Sequence, residues 1–251
     1  MRIMSFNLLC QGKDEHAMKN RRELASRTIM DLLPDSVGVQ EATPDWMKWL
    51  TKNLQGYDYV GVGRDNGKNR GEYSAVFYLK EKYKMVDSGT FWLSATPGKP
   101  SMGWDAVCMR VCTWVVLENR QTGEQYAHIN THLDHRGKVA REKGIDLVLK
   151  KAAEFDIPVV CTGDFNLFEG GELYEQLMGG VLRDTKFLAP DTMKNATFHH
   201  FEEPTDDVGV IDYVLANDKM KPLVYRVVTE GIDGKYVSDH YPVYADVELM
   251  V

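Results

Sequence analysis

The segment YAHINTHLDHRGKVAREKGIDLVLKKAAEFDIPVVCTGDFN, residues 126–166, shows the patterns of a strand, a helix and a second strand in succession. Residues 126–130 are strand-like. Residues 137–155 predict the longest helix of the chain, with a run of apolar residues at its middle. Residues 158–162 are a short apolar run that is typical of a buried strand. This succession predicts a layered α/β fold.

The same patterns recur on both sides of this segment. Further strands are predicted at residues 2–9, 36–40, 57–60, 74–79, 91–93, 111–117, 211–216, 223–228 and 242–247. Helices are predicted at residues 21–33, which end before Pro34, and at residues 44–54, with Thr43 as N-cap. We therefore predict an α/β domain over residues 1–251, in which helices flank a two-layer β-sandwich of mixed sheets.

Connections between these elements are short. Turn-rich segments lie at residues 61–71, 95–103 and 204–209. Strand-like runs follow one another without a helix from residue 74 to residue 130, so we expect antiparallel hairpins there. The sequence has no repeat and no low-complexity tract that would indicate a solenoid or a linker.

Composition narrows the class of protein. The chain has 251 residues, of which 43% are hydrophobic and 27% charged, so it is neither disordered nor fibrous. Its net charge of −7 argues against a protein that holds nucleic acid mainly through a broad basic surface. A nuclease that binds phosphate groups through a metal ion is compatible with this net charge.

The cysteines and the apolar runs bear on the compartment. Four cysteines are too few for a disulfide scaffold in a chain of this length, and we expect buried or half-buried thiols. No run approaches the roughly 20 apolar residues of a membrane span, and the amino-terminal one is too short for a signal peptide. We expect a cytoplasmic monomer without stable membrane association; a secreted or periplasmic location stays open if a leader was removed.

Polar side chains recur where the predicted strands end. They are Asn7, Gln40, Glu41, Asn130, His132, Asp164, Asn166, Asp212, Asp239 and His240. Each one alone is consistent with an ordinary turn, cap or packing residue. Strand ends of α/β sheets are, however, where ligands usually bind, and the hard oxygens of this set suit Mg²⁺ or Mn²⁺.

These residue types together fit the hydrolysis of a phosphate ester. Negative charge develops on the phosphoryl and leaving oxygens, and a divalent cation, an imidazolium and Asn donors would stabilise it. A His oriented by a carboxylate, or an Asp beside the metal, could deprotonate the attacking water. Whether one metal or two take part stays open. The sequence lacks the motifs of serine hydrolases, P-loop proteins and dinucleotide-binding proteins.

The chain resembles the endonuclease/exonuclease/phosphatase superfamily, and most closely its small bacterial members. The matching segments, in the family's order, are SFNLL (5–9), VQEA (39–42), NRGEYSAVFY (69–78), NTHLDHRG (130–137), TGDFN (162–166), TFHHF (197–201), IDYVL (211–215) and SDHYPV (238–243). The resemblance implies a DNase I-like four-layer α/β/β/α fold. It also implies a Mg²⁺- or Mn²⁺-dependent hydrolase acting on phosphodiesters or phosphomonoesters.

The resemblance implies a metal-binding role for three residues. Glu41 corresponds to the principal ligand, Asn7 to a second ligand or phosphate contact, and Asp239 to a residue that contributes to the metal or its hydrogen bonds. It further implies that Asp164 and Asn166 position the attacking water and bind the phosphoryl oxygens.

Proton transfer and charge stabilisation are implied for a second group of residues. His240 matches the family's general base or transition-state stabiliser, and Asp212 matches the aspartate that orients it. His132 matches the histidine that contacts the scissile phosphate, and Glu72 stands where some members carry a glutamate that orients that histidine.

Four residues are predicted to contact the substrate. Glu72 is one; Arg70 and Arg141 could bind phosphate or be solvated charges, and Trp104, in a Gly-containing loop, could stack on a base, a sugar or a headgroup. His199 and His200 stand before the IDYVL segment and could line the cleft or the loop surface.

The substrate class stays open at this point. The helical arms and basic loops of duplex-binding members, and the apolar hairpin of membrane-acting ones, are not evident in the sequence. A nuclease and a small-molecule or lipid-headgroup phosphodiesterase are both consistent with the residues, and nucleic acid remains a possible partner. A non-catalytic binding module is the alternative from another class. Such a module would be expected to have lost Glu41, Asp164 or His240.

Overall fold

The computed structural model describes residues 1–202, 209–231 and 235–250. The strands of this part of the chain are β1 (Arg2–Asn7), β2 (Ser36–Ala42), β3 (Tyr57–Val60), β4 (Tyr73–Leu79), β5 (Tyr83–Trp92), β6 (Val111–Asn119), β7 (Gln125–His132), β8 (Val159–Asp164), β9 (Arg183–Asp184), β10 (Asp191–Thr192), β11 (Asp212–Ala216), β12 (Met220–Val227) and β13 (Val243–Leu249). The helices are α1 (Met18–Leu32), α2 (Pro44–Asn53), α3 (Lys138–Ala153), α4 (Glu172–Met178) and α5 (Thr185–Leu188), with a 3-10 turn at Asp14–His16.

The strands of the described chain form two mixed sheets. The first has the order β10-β12-β13-β1-β2-β4-β3, and the second the order β5-β6-β7-β8-β11-β9. The pairs β1–β2, β7–β8 and β10–β12 are parallel, and the remaining pairs are antiparallel. Mixed sheets arise here because α1 returns the chain from β1 to β2, and α3 returns it from β7 to β8.

Three apolar layers hold the elements together. Met4 and Phe6 of β1 pack with Ile29 of α1 and Trp46 of α2 on one face of the first sheet. Ile3, on the opposite face of β1, belongs to the layer between the two sheets. A third layer joins the second sheet to α3 and α4. Because successive side chains of a strand point to opposite faces, each central strand contributes to two layers, which gives the order helix, sheet, sheet, helix.

A buried polar network also links the two sheets. Asn130 of β7 accepts a hydrogen bond from Gln40 of β2 at 2.7 Å and one from Thr162 of β8 at 3.0 Å. Its amide donates to the carbonyls of Val39 and Ala75 in the opposite sheet, each at 2.9 Å. The strand-end residue Asn130 therefore has a structural partner for each polar atom, and it positions the sheets relative to each other.

The directions of the central strands bring their polar ends to one edge. The parallel strands β1 and β2 end at this edge, as do β7 and β8. The antiparallel strands β11 and β13 begin there, because β11 pairs with β8 and β13 with β1. Residues far apart in sequence consequently meet at one edge of the sandwich: Asn7 lies 2.9 Å from Asp164, 157 positions along the chain, and 3.5 Å from His240, 233 positions along it.

Most predicted elements are present, and two expectations need correction. The strand predicted at residues 91–93 is the end of the longer β5, whose exposed residues do not alternate regularly. The hairpins expected from residue 74 onward begin only at β5, because β4 pairs with β2 and β3 in the other sheet. The short helices α4 and α5 were not predicted. The turn-rich segment predicted at 204–209 lies, up to residue 208, outside the described residues.

The structure also bears on the predictions about the cysteine side chains and about membrane-spanning segments. Cys112 and Cys161 are buried, Cys10 and Cys108 are half-buried, and all four are free thiols, as expected. Within the described residues, no helix combines the length and the apolar character needed to cross a membrane.

Candidate active site

Asn7 is the hydrogen-bonding centre of the strand-end cluster. Its amide Nδ2 lies 2.9 Å from Asp164 Oδ2, 3.2 Å from Glu41 Oε1 and 3.5 Å from His240 Nε2. Its Oδ1 accepts from the backbone N–H of Leu9, which fixes the orientation of the amide. Asn7 thus joins the ends of β1, β2 and β8 to the segment before β13; of its three side-chain partners, Asp164 and His240 are buried and Glu41 is half-buried.

A backbone irregularity directs Glu41 into this cluster. The pairing of β2 with β4 shifts register between Val39 and Ala42, and Glu41 adopts a left-handed φ of 57°. β-Bulges re-aim side chains at the ends of strands, and a positive φ at a glutamate is unfavourable by about 1 kcal/mol or more. Although burial alone would raise the pKa of Glu41, hydrogen bonds from Cys10 and Asn7 lower it, so the carboxylate is ionised.

Asp164 and Asn166 form a tight turn at the end of β8. The backbone N–H of Asn166 donates to Asp164 Oδ1 at 2.9 Å, and Asn166 Nδ2 donates to the carbonyl of Leu133 at 3.0 Å. Asn166 has a left-handed φ of 50°, which asparagine tolerates better than most residues. Burial raises the pKa of Asp164, and the nearby imidazole of His240 opposes this rise.

His240 is held by Asp212 in a buried pair. His240 Nδ1 lies 2.8 Å from Asp212 Oδ2, while His240 Nε2 faces Asp164 Oδ2 at 3.8 Å. Burial alone would lower the pKa of His240, but the carboxylates of Asp212, Asp164 and Asp239 raise it well above its ordinary value. The imidazolium form is therefore favoured, with Nδ1–H on Asp212 and Nε2–H toward the cluster.

His132 has the opposite electrostatic environment. Its Nε2 lies 3.4 Å from Asp164 Oδ2. Burial lowers the pKa of His132 far below its ordinary value, and the positive charges of Arg110 and Arg64 lower it further. His132 is therefore neutral. Its Nδ1 is buried, and the described residues provide no hydrogen-bond partner for it.

Glu72 does not orient His132, which corrects the role implied by the resemblance. Its carboxylate accepts two hydrogen bonds from Arg64, at 2.6 and 2.9 Å. Burial raises the pKa of Glu72, and Arg64 opposes that rise. Glu72 lies in the wall of the cleft, but its hydrogen-bond partner is this arginine.

Asp239 stands beside the cluster in the segment before β13. It is 8% exposed, lines the cleft, and accepts a hydrogen bond from Ser238 Oγ at 3.2 Å. Burial raises the pKa of Asp239, His240 lowers it, and the negative charge of Glu41 raises it again. The position is consistent with the metal-site role implied for it.

The cluster lies in a cleft of about 450 Å³, a size suited to a small molecule. The residues that line the cleft are Cys10, Glu41, Arg64, Glu72, Cys108, Arg110, His132, His135, Asp164, Asn166, Phe168, Phe198, Ile211, Asp239 and His240. Asn7 and Asp212 lie behind this wall and hold the residues that form it. A separate cavity of about 400 Å³ near Arg21 and Tyr236 is lined by none of the predicted site residues.

Three residues predicted to contact substrate lie elsewhere. Within the described chain, the cleft wall includes neither Arg70, nor Arg141, nor Trp104. Arg70 is exposed, and its backbone N–H donates to Asn66 Oδ1 at 3.0 Å in the turn of residues 63–71. Arg141 donates to the carbonyl of Asp134 at 2.8 Å, so it supports a loop rather than a substrate. Trp104 is 41% exposed in its loop.

The two histidines before β11 have structural surroundings. The backbone N–H groups of His199 and His200 donate to the carbonyl of Asp239 at 3.0 and 3.1 Å. The buried His199 ring packs against Tyr236 and Tyr241, with centroids 4.4 and 4.1 Å away. Neither side chain lines the cleft of the described chain, and both residues instead support the segment that carries Asp239.

Several residues of the cleft were not identified from the sequence. Arg64 and Arg70 stand in the same Gly-rich turn, and no local pattern indicates which of them faces inward. His135 lies inside the matching segment 130–137, and Phe198 inside 197–201, so position within those motifs was the available signal. Phe168 follows the TGDFN segment by two residues and is 58% exposed at the cleft.

The donor set fits a hard divalent cation. Ligand atoms of Glu41, His132 and Asp164 lie within 4.8 Å of one another. The charge of Glu41 adds to the effect of burial in raising the pKa of Asp164 and Asp239, so a cation would relieve repulsion among three carboxylates. Glu41 could hold such an ion, with Asn7, Asp164 and Asp239 beside it.

Comparison with known proteins shows the family to which the chain belongs. A model of the Endonuclease/Exonuclease/phosphatase family matches residues 4–240. The chain belongs to this family. Its members are phosphoesterases, so the protein is a hydrolase of this superfamily. The resemblance and the DNase I-like α/β sandwich predicted from the sequence are thereby confirmed.

Three relatives illustrate the range of similarity. An endonuclease/exonuclease/phosphatase from Bacteroides vulgatus is 35% identical, with a TM-score of 0.94 over 99% of this chain and 98% of that one. The mannosyl-6-phosphatase of Bacteroides thetaiotaomicron is 32% identical, with a TM-score of 0.93 over 99% of this chain and 100% of that one. An uncharacterized protein of Acanthamoeba polyphaga mimivirus is 24% identical over 99% of this chain and 92% of its own length.

Proposed function

We propose that this protein is a divalent-metal-dependent hydrolase that removes the phosphoryl group from a small, hydroxyl-rich molecule such as a sugar phosphate. The observation that carries the proposal is the meeting of Glu41, Asp164 and the His240–Asp212 pair in one cleft of small-molecule size. The 32% identity with a mannosyl-6-phosphatase over nearly the whole chain supports a sugar phosphate as substrate. Mg²⁺ or Mn²⁺ bound at Glu41 would stabilise negative charge on the phosphoryl oxygens.

The balance of charge favours a small substrate over a long nucleic acid. The chain carries a net charge of −7, and four carboxylate residues, Glu41, Glu72, Asp164 and Asp239, line the cleft. This negative charge would repel the phosphate groups of a long nucleic acid that lie outside the site. Phosphodiesters, which the sequence also predicted as substrates, are therefore included in the experiment below for comparison.

The side chains account for the remaining chemistry. In hydrolysis the water oxygen forms a bond to phosphorus while the phosphorus–oxygen ester bond breaks. Asp164, whose pKa burial raises, accepts one proton of the attacking water and releases it to the medium, and the leaving alkoxide takes up one proton from the medium to become the alcohol. The Nε2–H of protonated His240 donates to a phosphoryl oxygen as its charge increases, and Asp212 holds the ring in that orientation.

The test is a substrate panel with matched variants. Mannose 6-phosphate, glucose 6-phosphate, p-nitrophenyl phosphate, bis-p-nitrophenyl phosphate, single-stranded DNA and RNA are assayed with Mg²⁺, with Mn²⁺ and with EDTA. We expect hydrolysis of the sugar phosphates that EDTA abolishes. His240→Ala should lower kcat by about 10²–10⁴-fold, and Glu41→Gln should raise the metal concentration needed for half-maximal activity. Absence of metal-dependent turnover on the whole panel would instead indicate a binding module.

A further inference from the structure

Arg110 is a buried cation in the wall of the cleft. It directly precedes β6, is 5% exposed and lines the cleft beside His132 and His135. Its Nη2 lies 3.2 Å from His135 Nδ1. Burial and the charge of Arg110 lower the pKa of His135, so this histidine is neutral and accepts the hydrogen bond without balancing the positive charge.

The nearest carboxylate does not satisfy Arg110. Asp134 Oδ2 lies 3.8 Å from Arg110 Nε, which is too far for a hydrogen bond. Both oxygens of Asp134 are already used, because Oδ1 accepts from the N–H groups of Arg136 and Gly137, and Oδ2 from those of Val107 and Cys108. Nε and Nη1 of Arg110 consequently have no hydrogen-bond partner among the described residues.

The other cations of the cleft are hydrogen-bonded to carboxylates, whereas Arg110 has only the longer ion-pair contact with Asp134. Arg64 donates two hydrogen bonds to Glu72, and His240 is held by Asp212. Among the described residues that line the cleft, Arg110 is therefore the arginine with donors to spare. Buried guanidinium groups almost always have their donors satisfied, and a phosphate group matches their planar, forked geometry.

The geometry points to Arg110 as the residue that selects a dianionic phosphomonoester over a monoanionic diester, because its guanidinium binds the charged oxygens of the phosphoryl group. This inference rests on the proposed function and deepens it. A monoester near neutral pH presents two anionic charges, whereas a diester presents one and replaces an oxygen acceptor by a second ester group. A fixed cation beside Glu41, Asp164 and Asp239 therefore gains more from the monoester, which these carboxylates would otherwise repel.

The experiment compares two esters in the full-length protein. Arg110→Gln removes the positive charge, and Arg110→Lys keeps the charge but lacks the forked guanidinium group. Arg120→Gln is the matched control, because Arg120 is exposed at the β6–β7 turn, at the opposite end of the sheets. The readouts are kcat/KM with Mg²⁺ for p-nitrophenyl phosphate and bis-p-nitrophenyl phosphate, and the Kd of inorganic phosphate by isothermal titration calorimetry in the same buffer.

We expect Arg110→Gln to lower kcat/KM for the monoester by about a hundredfold and for the diester by less than about fivefold. The Kd of inorganic phosphate should rise in parallel with the loss on the monoester. Arg120→Gln should match the wild type in all three measurements. If Arg110→Gln does not fold, as judged by circular dichroism and Tm, Arg110→Lys decides the matter with an expected loss of about tenfold on the monoester alone.

Equal losses on both esters, or an unchanged Kd for phosphate, would overturn the assignment and leave Arg110 as a support for His135. Failure of the proposed function has a different signature. A wild type that hydrolyses neither these esters nor mannose 6-phosphate or glucose 6-phosphate contradicts the proposed activity. The phosphate titration still tests Arg110 in that case: weaker phosphate binding by the variants supports the assignment, and unchanged or absent binding overturns it.

Discussion

The carboxylates of the cleft are chemically alike, and their surroundings give them different properties. Glu41 accepts hydrogen bonds from Cys10 and Asn7, which lower its pKa. Asp164 and Asp239 are buried beside other negative charges, which raises theirs. An ionised ligand and a carboxylate able to accept a proton can therefore coexist within a few ångströms, which is the usual requirement of a hydrolytic site.

Asp212 acts through His240, and this can be tested by a change of one atom. Asp212→Asn keeps the shape of the side chain but removes the charge that raises the pKa of His240. We expect kcat to fall by about 10²–10³-fold and the pKa of His240, followed by NMR, to decrease.

The control for this change is Asp218→Asn. Asp218 is exposed in the turn after β11, at the opposite end of that strand from Asp212. It should leave kcat and the titration of His240 unchanged. A kcat for Asp212→Asn within threefold of the wild type, with His240 titrating as before, would contradict the positioning role.

At the scale of elements, the strands that carry the site were found because their apolar runs end in polar residues. The bounds of β3 agree with the prediction at residues 57–60, and α2 begins at Pro44 after the predicted cap, Thr43, which accepts from the backbone N–H of Trp46. The edge strand β5 was largely missed, because its exposed face follows no regular alternation. Central strands are buried on both faces and therefore leave a stronger signal.

His128 joins strands of both sheets and makes stability depend on pH. Its ring nitrogens lie 2.8 Å from Ser36 Oγ in β2 and 2.8 Å from Thr162 Oγ1 in β8. Burial lowers the pKa of His128 to about 3, so the folded protein holds it neutral, while the unfolded chain takes up a proton below its ordinary value of 6.5. Its effect is absent above pH 6.5, and the free energy of unfolding decreases as the pH falls from there toward 3.

We expect His128→Gln to remove about 2 kcal/mol from the loss of stability between pH 7 and pH 5. Urea denaturation at pH 7, 6 and 5 measures this difference, whatever the variant's stability at neutral pH. His200→Gln, at an exposed position, should retain the pH dependence of the wild type. An identical dependence in His128→Gln would mean that this histidine is protonated in the folded protein.

At the scale of the whole molecule, the distance between the two sheets is set at Gly38. This residue lies in the middle of β2, opposite Asn130 and Thr162 of the other sheet. A Cβ at this position would overlap Asn130 Oδ1 and Thr162 Oγ1, and the hydrogen-bond network between the sheets leaves neither side chain room to move.

Gly38→Ala should therefore lower the free energy of unfolding by about 3 kcal/mol, as measured by urea denaturation at pH 7. The control is Gly98→Ala, because nothing lies within 4 Å of a Cβ built at Gly98. A Gly38→Ala protein as stable as this control would show that the sheets can separate without cost.

The chain alone determined the layered fold and the identity of the residues at the strand ends. Apolar periodicity marks each strand and helix locally, and Glu41, Asp164 and His240 stand directly beyond such runs. The order of the motif segments also sufficed to indicate the family. The strands, the helices and each motif segment can be recognised in the sequence because each is defined by residues only a few positions apart.

Only the tertiary structure decided which charged side chains face the cleft and how strongly each holds its proton. Arg64 and Arg110 line it, whereas Arg70 and Arg141 do not, and Glu72 binds Arg64 rather than His132. Turn geometry sets the direction of each side chain, and burial together with charges from distant strands sets each pKa. Side-chain direction and pKa both depend on groups far apart in the chain, so neither can be predicted from a local sequence pattern.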